Sequence, residues 1–238
     1  IYILIRTYFT IFHRDFSFFV MSLGDILMVF AIMAMLVGSA IAIFQTDIKR
    51  MLAYSSVAQI GYMVLGVSMA TVLGLTGGML HLFNHALIKG ALFMAMGCVF
   101  YRTGSISIDA MRGLASRMPW TMAAFVAGGL SLIGVPLTVG FVSKWYLLMA
   151  AMDQSLWWVV TFVIVASLMA IIYVWRVVEA AYFSTAPAGA PTGVQEAPMV
   201  MLIPMWVMIL ANFYFGVDTR VSVGVAERAA KFLLGDAS

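Results

Sequence analysis

Long apolar runs separated by short polar stretches dominate the chain, and they predict a bundle of membrane helices. Ile1 to about Phe12 reads as the end of a helix that began upstream, closed by His13, Arg14 and Asp15. The first residue is Ile1, within an apolar run and without a signal-peptide pattern, so the sequence reads as a C-terminal fragment. Phe18 to Phe44 is one apolar run with Asp25 near its start. The charged turn QTDIKR, residues 45–50, leads into a span from Met51 to about Ala70 that carries Ser55, Ser56, Gln59 and Tyr62. Thr71 to Tyr101 is the next span, and Arg102 to Pro119 is a polar loop.

Further along, the pattern changes. Trp120 to Gly134 and Phe141 to Met152 are each too short for a crossing of about 20 residues. Between them lies VPLTVG, with Pro136 and Gly140, so residues 119–152 read as one broken helix. Membranes tolerate such a break only where protein or water satisfies the freed backbone, and transporter ion sites are often built there. Leu156 to Phe183 is a span opened by Trp157 and Trp158, suited to an interfacial belt. Ser184 to Pro198, rich in Pro, Ala and Gly, reads as a flexible loop before the last span, Met199 to Val217. Asp218 to Ser238 is a tail that suits one amphipathic helix on the membrane surface. The resulting divisions are 1–13, 18–152, 156–217 and 218–238.

Composition agrees with this pattern. Of 238 residues, 64% are hydrophobic and only 10% charged, against about 25% charged in soluble domains. The net charge of +3 comes from scattered Lys and Arg with no basic face, which excludes a nucleic-acid partner. Cys98, the single cysteine, lies in an apolar run and has no internal partner. Lys49, Arg50, Arg102, Arg112 and Arg117 fall on one side if helices alternate, which puts the QTDIKR side in the cytoplasm.

The candidate chemistry sits in MLHLFNHALIKGALF, residues 79–93. His81, His85 and Lys89 are four residues apart and stack on one helix face, about 6 Å per step. Such groups are costly in hydrocarbon and normally face a bundle interior or a wet path. Three on one face favour a proton relay over isolated polar contacts between helices, since His exchanges protons near neutral pH and a desolvated Lys can join it. Lys144, just after the break, suits either a terminal proton acceptor or a side chain snorkelling to the interface. Lys49 and Arg50 beside Asp47 read as positive-inside anchors with a local ion pair. Arg176 and Glu179, three apart, can pair as a clamp at the rim, the alternative being a role in proton uptake. Asp25 fits an outer-side proton group or a plain interfacial acid, and Gln59 with Ser55 and Ser56 fits held water or helix-to-helix glue. No Cys or His cluster has zinc or iron–sulfur spacing, and no Gly-rich loop follows a strand. Haem or copper on His81 and His85 is disfavoured, since His13 at a membrane edge is the only other histidine.

Three segments carry a resemblance: DIKRMLAYSSVAQIGYM (47–63), HLFNHALIKGALF (81–93) and GVPLTVGFVSKWYLL (134–148). In this order they resemble the proton-translocating antiporter-like subunit family. Its members are membrane-arm subunits of respiratory complex I and large subunits of Mrp-type cation/proton antiporters. The runs GFVSKWYLL and YVWRVVEAAYF (173–183) most resemble the D-type Mrp subunit. The resemblance implies an all-α polytopic fold with inverted five-helix repeats, each with a broken helix, of which this chain holds the second. It implies that His81, His85 and Lys89 belong to a central relay row and that Lys144 is the basic residue of the broken helix. Lys49 matches a family position in the DIKR motif. The family's first-repeat Glu–Lys pair has no counterpart in these residues, so the fragment alone is not expected to pump. The implied function is proton translocation in a multisubunit cation/proton antiporter. The alternatives are a membrane-arm subunit of an NADH:quinone oxidoreductase or related hydrogenase, and a non-conducting scaffold. None of these requires a cofactor in this chain. The implied partners are other membrane subunits, protons, Na+ and the bilayer, and the implied location is a bacterial inner membrane.

Overall fold

The computed structural model describes residues 1–12, 15–185 and 193–235. His13 and Arg14, read as closing the first segment, lie outside the described residues, as do positions 186–192 of the Pro-rich stretch and the last three of the tail.

The described chain is helical. A short α1 (Tyr2–Ile5) runs into a π-helical turn, Arg6–Ile11. Then come α2 (Leu23–Phe44), α3 (Ile48–Ser68), α4 (Val72–Thr103), α5 (Pro119–Ile133), α6 (Val139–Asp153), α7 (Trp157–Val178), α8 (Met199–Val217) and α9 (Arg220–Leu234). Five of these helices, α7 with its π-helical extension to Phe183, are long and apolar enough to cross a membrane. The apolar run from Phe18 to Phe44 is not one helix. A π-helical stretch, Asp15–Val20, precedes α2, and Ser22 between them sits in the left-handed region at φ 49°. Hydrophobicity is continuous across this kink, so periodicity could not reveal it.

Local chemistry sets the ends. The Asp47 carboxylate accepts from the Arg50 backbone N–H and starts α3 three residues before the apolar run begins. Thr71 does the same for α4 through the Gly74 N–H, and Gly104 ends α4 in the left-handed conformation. Residues 104–118 turn through two short 3-10 segments and pair with the α2–α3 turn, Ile48 N–H to Ile106 O and Ile108 N–H to Thr46 O.

Helix α4 lies at the centre, against α3, α5, α6, α8 and α9. The core beneath it holds Leu52, Ile88, Leu92, Phe125, Leu132, Tyr173, Met205 and Ile209. The outward faces of α2, α7 and α8 are apolar and exposed, as with Phe30, Leu168, Ile172 and Val207, which suits contact with lipid. The tail is not a free surface helix, because α9 docks on α4 through Ala226, Ala230 and Leu234.

The break between α5 and α6 positions the site. Each half has 15 residues, about 22 Å of helix, too short for a hydrocarbon core of about 30 Å. At the outer end of α5 the Glu196 carboxylate accepts from the Trp120 N–H at 2.8 Å. At the far end of α6, Gln154 donates to Met69 O at 2.9 Å. Arg102, at the end of α4, holds Glu196 O, and Met69 lies just before the start of α4, so the two halves together run the length of α4. Within the break, Gly134 at φ 96° ends α5 in a conformation that suits glycine, and Leu137 is also left-handed at 72°. The Lys144 ammonium donates to Leu132 O and Ile133 O, Thr138 Oγ1 donates to Val135 O at 2.7 Å, and Asn84 of α4 donates to Val139 O at 2.7 Å. The protein itself satisfies much of the opened backbone.

Gly140 is where the two halves touch, since a Cβ there would lie 1.8 Å from Ser131 O. Gly140→Ala should destabilise the protein by at least about 1–3 kcal/mol, read as a lower Tm in detergent. Gly224 of α9 has open space around it. Gly224→Ala should hold or raise Tm, by about 0.5–1 kcal/mol at most.

Candidate functional site

Helix α3 offers Ser55, Gln59 and Tyr62 at steps of four and three, so they share one face, and all are buried. The antiparallel α4 sets His81 against Gln59 and Tyr62 and Lys89 against Ser55, with His85 between them along the helix. Helices α6 and α7 close the site with Ser143, Lys144, Ser167 and Tyr173.

His81 is 1% exposed and held at both ring nitrogens, Nε2 to Gln59 Oε1 at 2.9 Å and Nδ1 to Ser143 Oγ at 2.8 Å. The Gln59 oxygen can only accept, so Nε2 carries the proton in the neutral ring and Nδ1 takes the Ser143 hydroxyl proton. A protonated ring donates at both positions. Ser143 then turns its hydroxyl to Val139 O or Gly140 O, each 3.4 Å away. Both protonation states keep their hydrogen bonds, which spares His81 the cost of an unpaired buried group, about 1–3 kcal/mol.

Lys144 points into the bundle and not to the interface, so snorkelling is excluded; it is 5% exposed. Its ammonium donates to Leu132 O at 3.1 Å, Ile133 O at 2.8 Å and Ser167 Oγ at 3.1 Å, which uses all three N–H bonds. Two of those acceptors are last-turn carbonyls of α5, the negative end of its dipole. The amine also sits 4.9 Å from the centre of the Tyr62 ring. That ring lies 5.3 Å from the His81 ring, and the Tyr62 hydroxyl reaches Ser167 at 3.2 Å. His81 and Lys144 thus flank one tyrosine. A hollow of about 240 Å³ between α6 and α7 adjoins Lys144, lined by Phe141, Trp145 and Leu168 among others.

Lys89 is also buried and donates to Leu52 O at 2.7 Å and to Ser55 Oγ. His85, between Lys89 and His81, is half-buried, with Nε2 enclosed and without a partner. The buried Tyr173 hydroxyl lacks one as well. Two open polar atoms in an apolar interior are sockets for further hydrogen bonds.

The other candidates stay outside this group. Lys49 is exposed at the start of α3, over a hollow of about 220 Å³ walled by Phe93, Met96 and Phe100. Asp47 is spent on the α3 cap and makes no ion pair with Lys49 or Arg50. Asp25 is exposed in the first turn of α2, where the helix dipole suits an acid, and is not two turns into a span. The expected Arg176–Glu179 pair does not form. Arg176 donates to Ile43 O and, at 3.0 Å, to Gln45 O, capping the α2 C-terminus, while Glu179 is exposed. The carbonyls win because the end of α2 leaves acceptors that no intrahelical N–H reaches.

Sequence reasoning did not single out Ser143, Ser167, Tyr173, Asn84 or Glu196. The α3 spacing 55, 59, 62 was a signal for Tyr62. Nothing local marks Ser167, which becomes polar lining only because α7 packs beside α6.

This geometry is an all-helical membrane bundle in which buried His81, Lys89 and Lys144 and half-buried His85 lie beside a helix break, the class of an antiporter-like membrane subunit. The chain belongs to the NADH:quinone oxidoreductase/Mrp antiporter transmembrane family, whose model matches residues 1–170. It is 46% identical over 184 residues to NADH-quinone oxidoreductase subunit N of Desulforudis audaxviator, covering 73% of this chain and 37% of that protein. It is 30% identical over 198 residues to a probable K(+)/H(+) antiporter protein of Rhizobium meliloti, covering 80% of this chain and 20% of that protein. The Mrp complex from a Dietzia species matches in fold at a TM-score of 0.89 and 23% identity, over 99% of this chain and 51% of that one. The archaeal membrane-bound sulfane sulfur reductase matches at 0.77 and 34% identity, over 82% of this chain and 32% of that one. The chain spans well under half the length of these curated relatives. The likenesses favour neither the Mrp nor the complex I type over the other.

Gln59→Leu would strand the His81 Nε2–H. It should cost about 1–3 kcal/mol, read as a lower Tm in detergent. Lys49→Gln, on the exposed rim, should stay within about 0.5 kcal/mol of the parent.

Proposed function

We propose that this chain relays protons within a multisubunit monovalent cation/proton antiporter. The observation that carries this is His81, bonded at both nitrogens to groups that serve either protonation state, beside a Lys144 amine on the α5 carbonyls. Protons pass along Lys89, His85 and His81 to Lys144, with water at the open His85 nitrogen completing the gaps. Exchange for Na+ or another monovalent cation takes place in the whole complex, with other membrane subunits as partners. The setting is a bacterial inner membrane with the QTDIKR side in the cytoplasm.

A second reading has equal support from the relatives: a membrane-arm subunit of an NADH:quinone oxidoreductase or related respiratory complex, driven by redox chemistry in other subunits. The two differ in their driving force. Vesicles holding the full complex would acidify on reductant addition in one case, and exchange Na+ or K+ for protons under a pH gradient in the other. The D-type Mrp assignment rests on residues 140–148 and 173–183 and belongs to the first reading.

The test uses the full-length protein in its reconstituted complex. Lys144→Ala should abolish proton-coupled transport while the complex still assembles, and unchanged transport would refute the role. Lys89→Ala separates a relay from a scaffold. A relay loses flux and keeps assembly, whereas a scaffold keeps full activity or fails to assemble.

A further inference from the structure

The last transmembrane helix ends at Val217, and α9 begins at Arg220 on the same side of the bundle as the start of α4. Between α9 and α4 lies a groove of about 320 Å³. Leu80 and Phe83 of α4, Phe215 of α8 and Val225, Ala226 and Ala229 of α9 form its walls. Phe83 and Phe215 meet edge to face at 5.3 Å. No charged side chain lines the groove, and the hydroxyl of its Ser222 is spent on Thr219 O.

The faces of α9 show what the groove opens onto. Ala226, Ala230 and Leu234 are buried against the bundle, while Val221, Val225 and Phe232 are 63%, 57% and 75% exposed. Exposed apolar residues on an amphipathic helix beside a transmembrane end belong at the acyl-chain boundary. The groove therefore opens to hydrocarbon and suits a flexible apolar chain.

The charges on α9 are unequal. Arg220 is bonded to Asp218 at 2.9 Å, and Lys231 to Glu227 at 2.8 Å. The Arg220 guanidinium also holds the Asp218 carboxyl below the usual carboxylate range, which keeps that pair closed. Arg228 is different. Its Nε donates to Gly224 O, and among the described residues its terminal nitrogens meet no carboxylate. It is exposed and stands three residues after Val225 of the groove wall, one helix turn along on the same side of α9. A guanidinium fork matches a phosphate.

We infer that the α9–α4 groove is a binding site for an anionic phospholipid, with an acyl chain in the groove and the phosphate on Arg228. This goes beyond the relay and does not depend on it.

The full complex is reconstituted in vesicles doped with phosphatidylglycerol carrying a photoactivatable group in its acyl chain, or with the phosphatidylcholine equivalent. Labelled peptides are then mapped. Residues 79–83 and 221–229 should label about five-fold more with phosphatidylglycerol. Arg228→Gln should remove that preference, and Ala229→Trp should remove the label from both segments. Lys231→Gln, which deletes a paired charge away from the groove, should change neither. Equal labelling by both lipids, an equal loss with Lys231→Gln, or labelling unmoved by Ala229→Trp would each overturn the site. Groove residues cross-linked to another subunit would also overturn it. If Ala229→Trp does not assemble, the Arg228→Gln and Lys231→Gln pair still decides.

Discussion

A buried ammonium and a broken helix each solve the other's problem. An amine inside a membrane needs acceptors on every N–H, and a helix that stops there leaves carbonyls without donors. Lys144 on the carbonyls of Leu132 and Ile133 meets both needs at once, with Ser167 taking the third N–H. The remaining contacts defend this arrangement. Asn84 holds the start of α6, α8 crosses close over the break at Gly216, and Gly140 lets the two halves touch. Removing the amine would leave unpaired carbonyls, and closing the break would leave the amine unpaired.

The same economy governs His81. Its neighbours are an acceptor that never donates and a hydroxyl that can do either. A histidine fixed between two acceptors would be locked into one charge state. This one changes charge by the rotation of one hydroxyl, without moving a helix. Burial of Tyr62 between the histidine and the lysine ties the two ends of the site to one side chain.

The charged rim does structural work of another kind. Arg176 closes α2, Asp47 opens α3, and Glu196 opens α5 from a loop 76 residues away from Trp120. Arg102 holds that loop through Glu196 O at 2.6 Å. These groups sit at helix ends, where orphan donors and acceptors collect, and their charges oppose the local helix dipole. On the opposite side α9 packs its small residues against α4 and turns its cations outward.

The membrane class, the number of long spans, the broken helix and the His/Lys row were legible in the chain. They rest on length, hydropathy and a four-residue period, which are local properties. The kink at Ser22 was not, because hydrophobicity does not change across it. Nor was the fate of Arg176, which had a partner three residues away by sequence and found carbonyls more than 130 residues away instead. Ser143, Ser167 and Asn84 look like ordinary polar residues in apolar helices until packing sets them beside His81, Lys144 and Val139. By itself the sequence determined where the long apolar helices lie and which faces carry costly groups. Only the tertiary structure decided which partners offset that cost, because hydrogen bonds between helices depend on their relative position and not on any period within one of them.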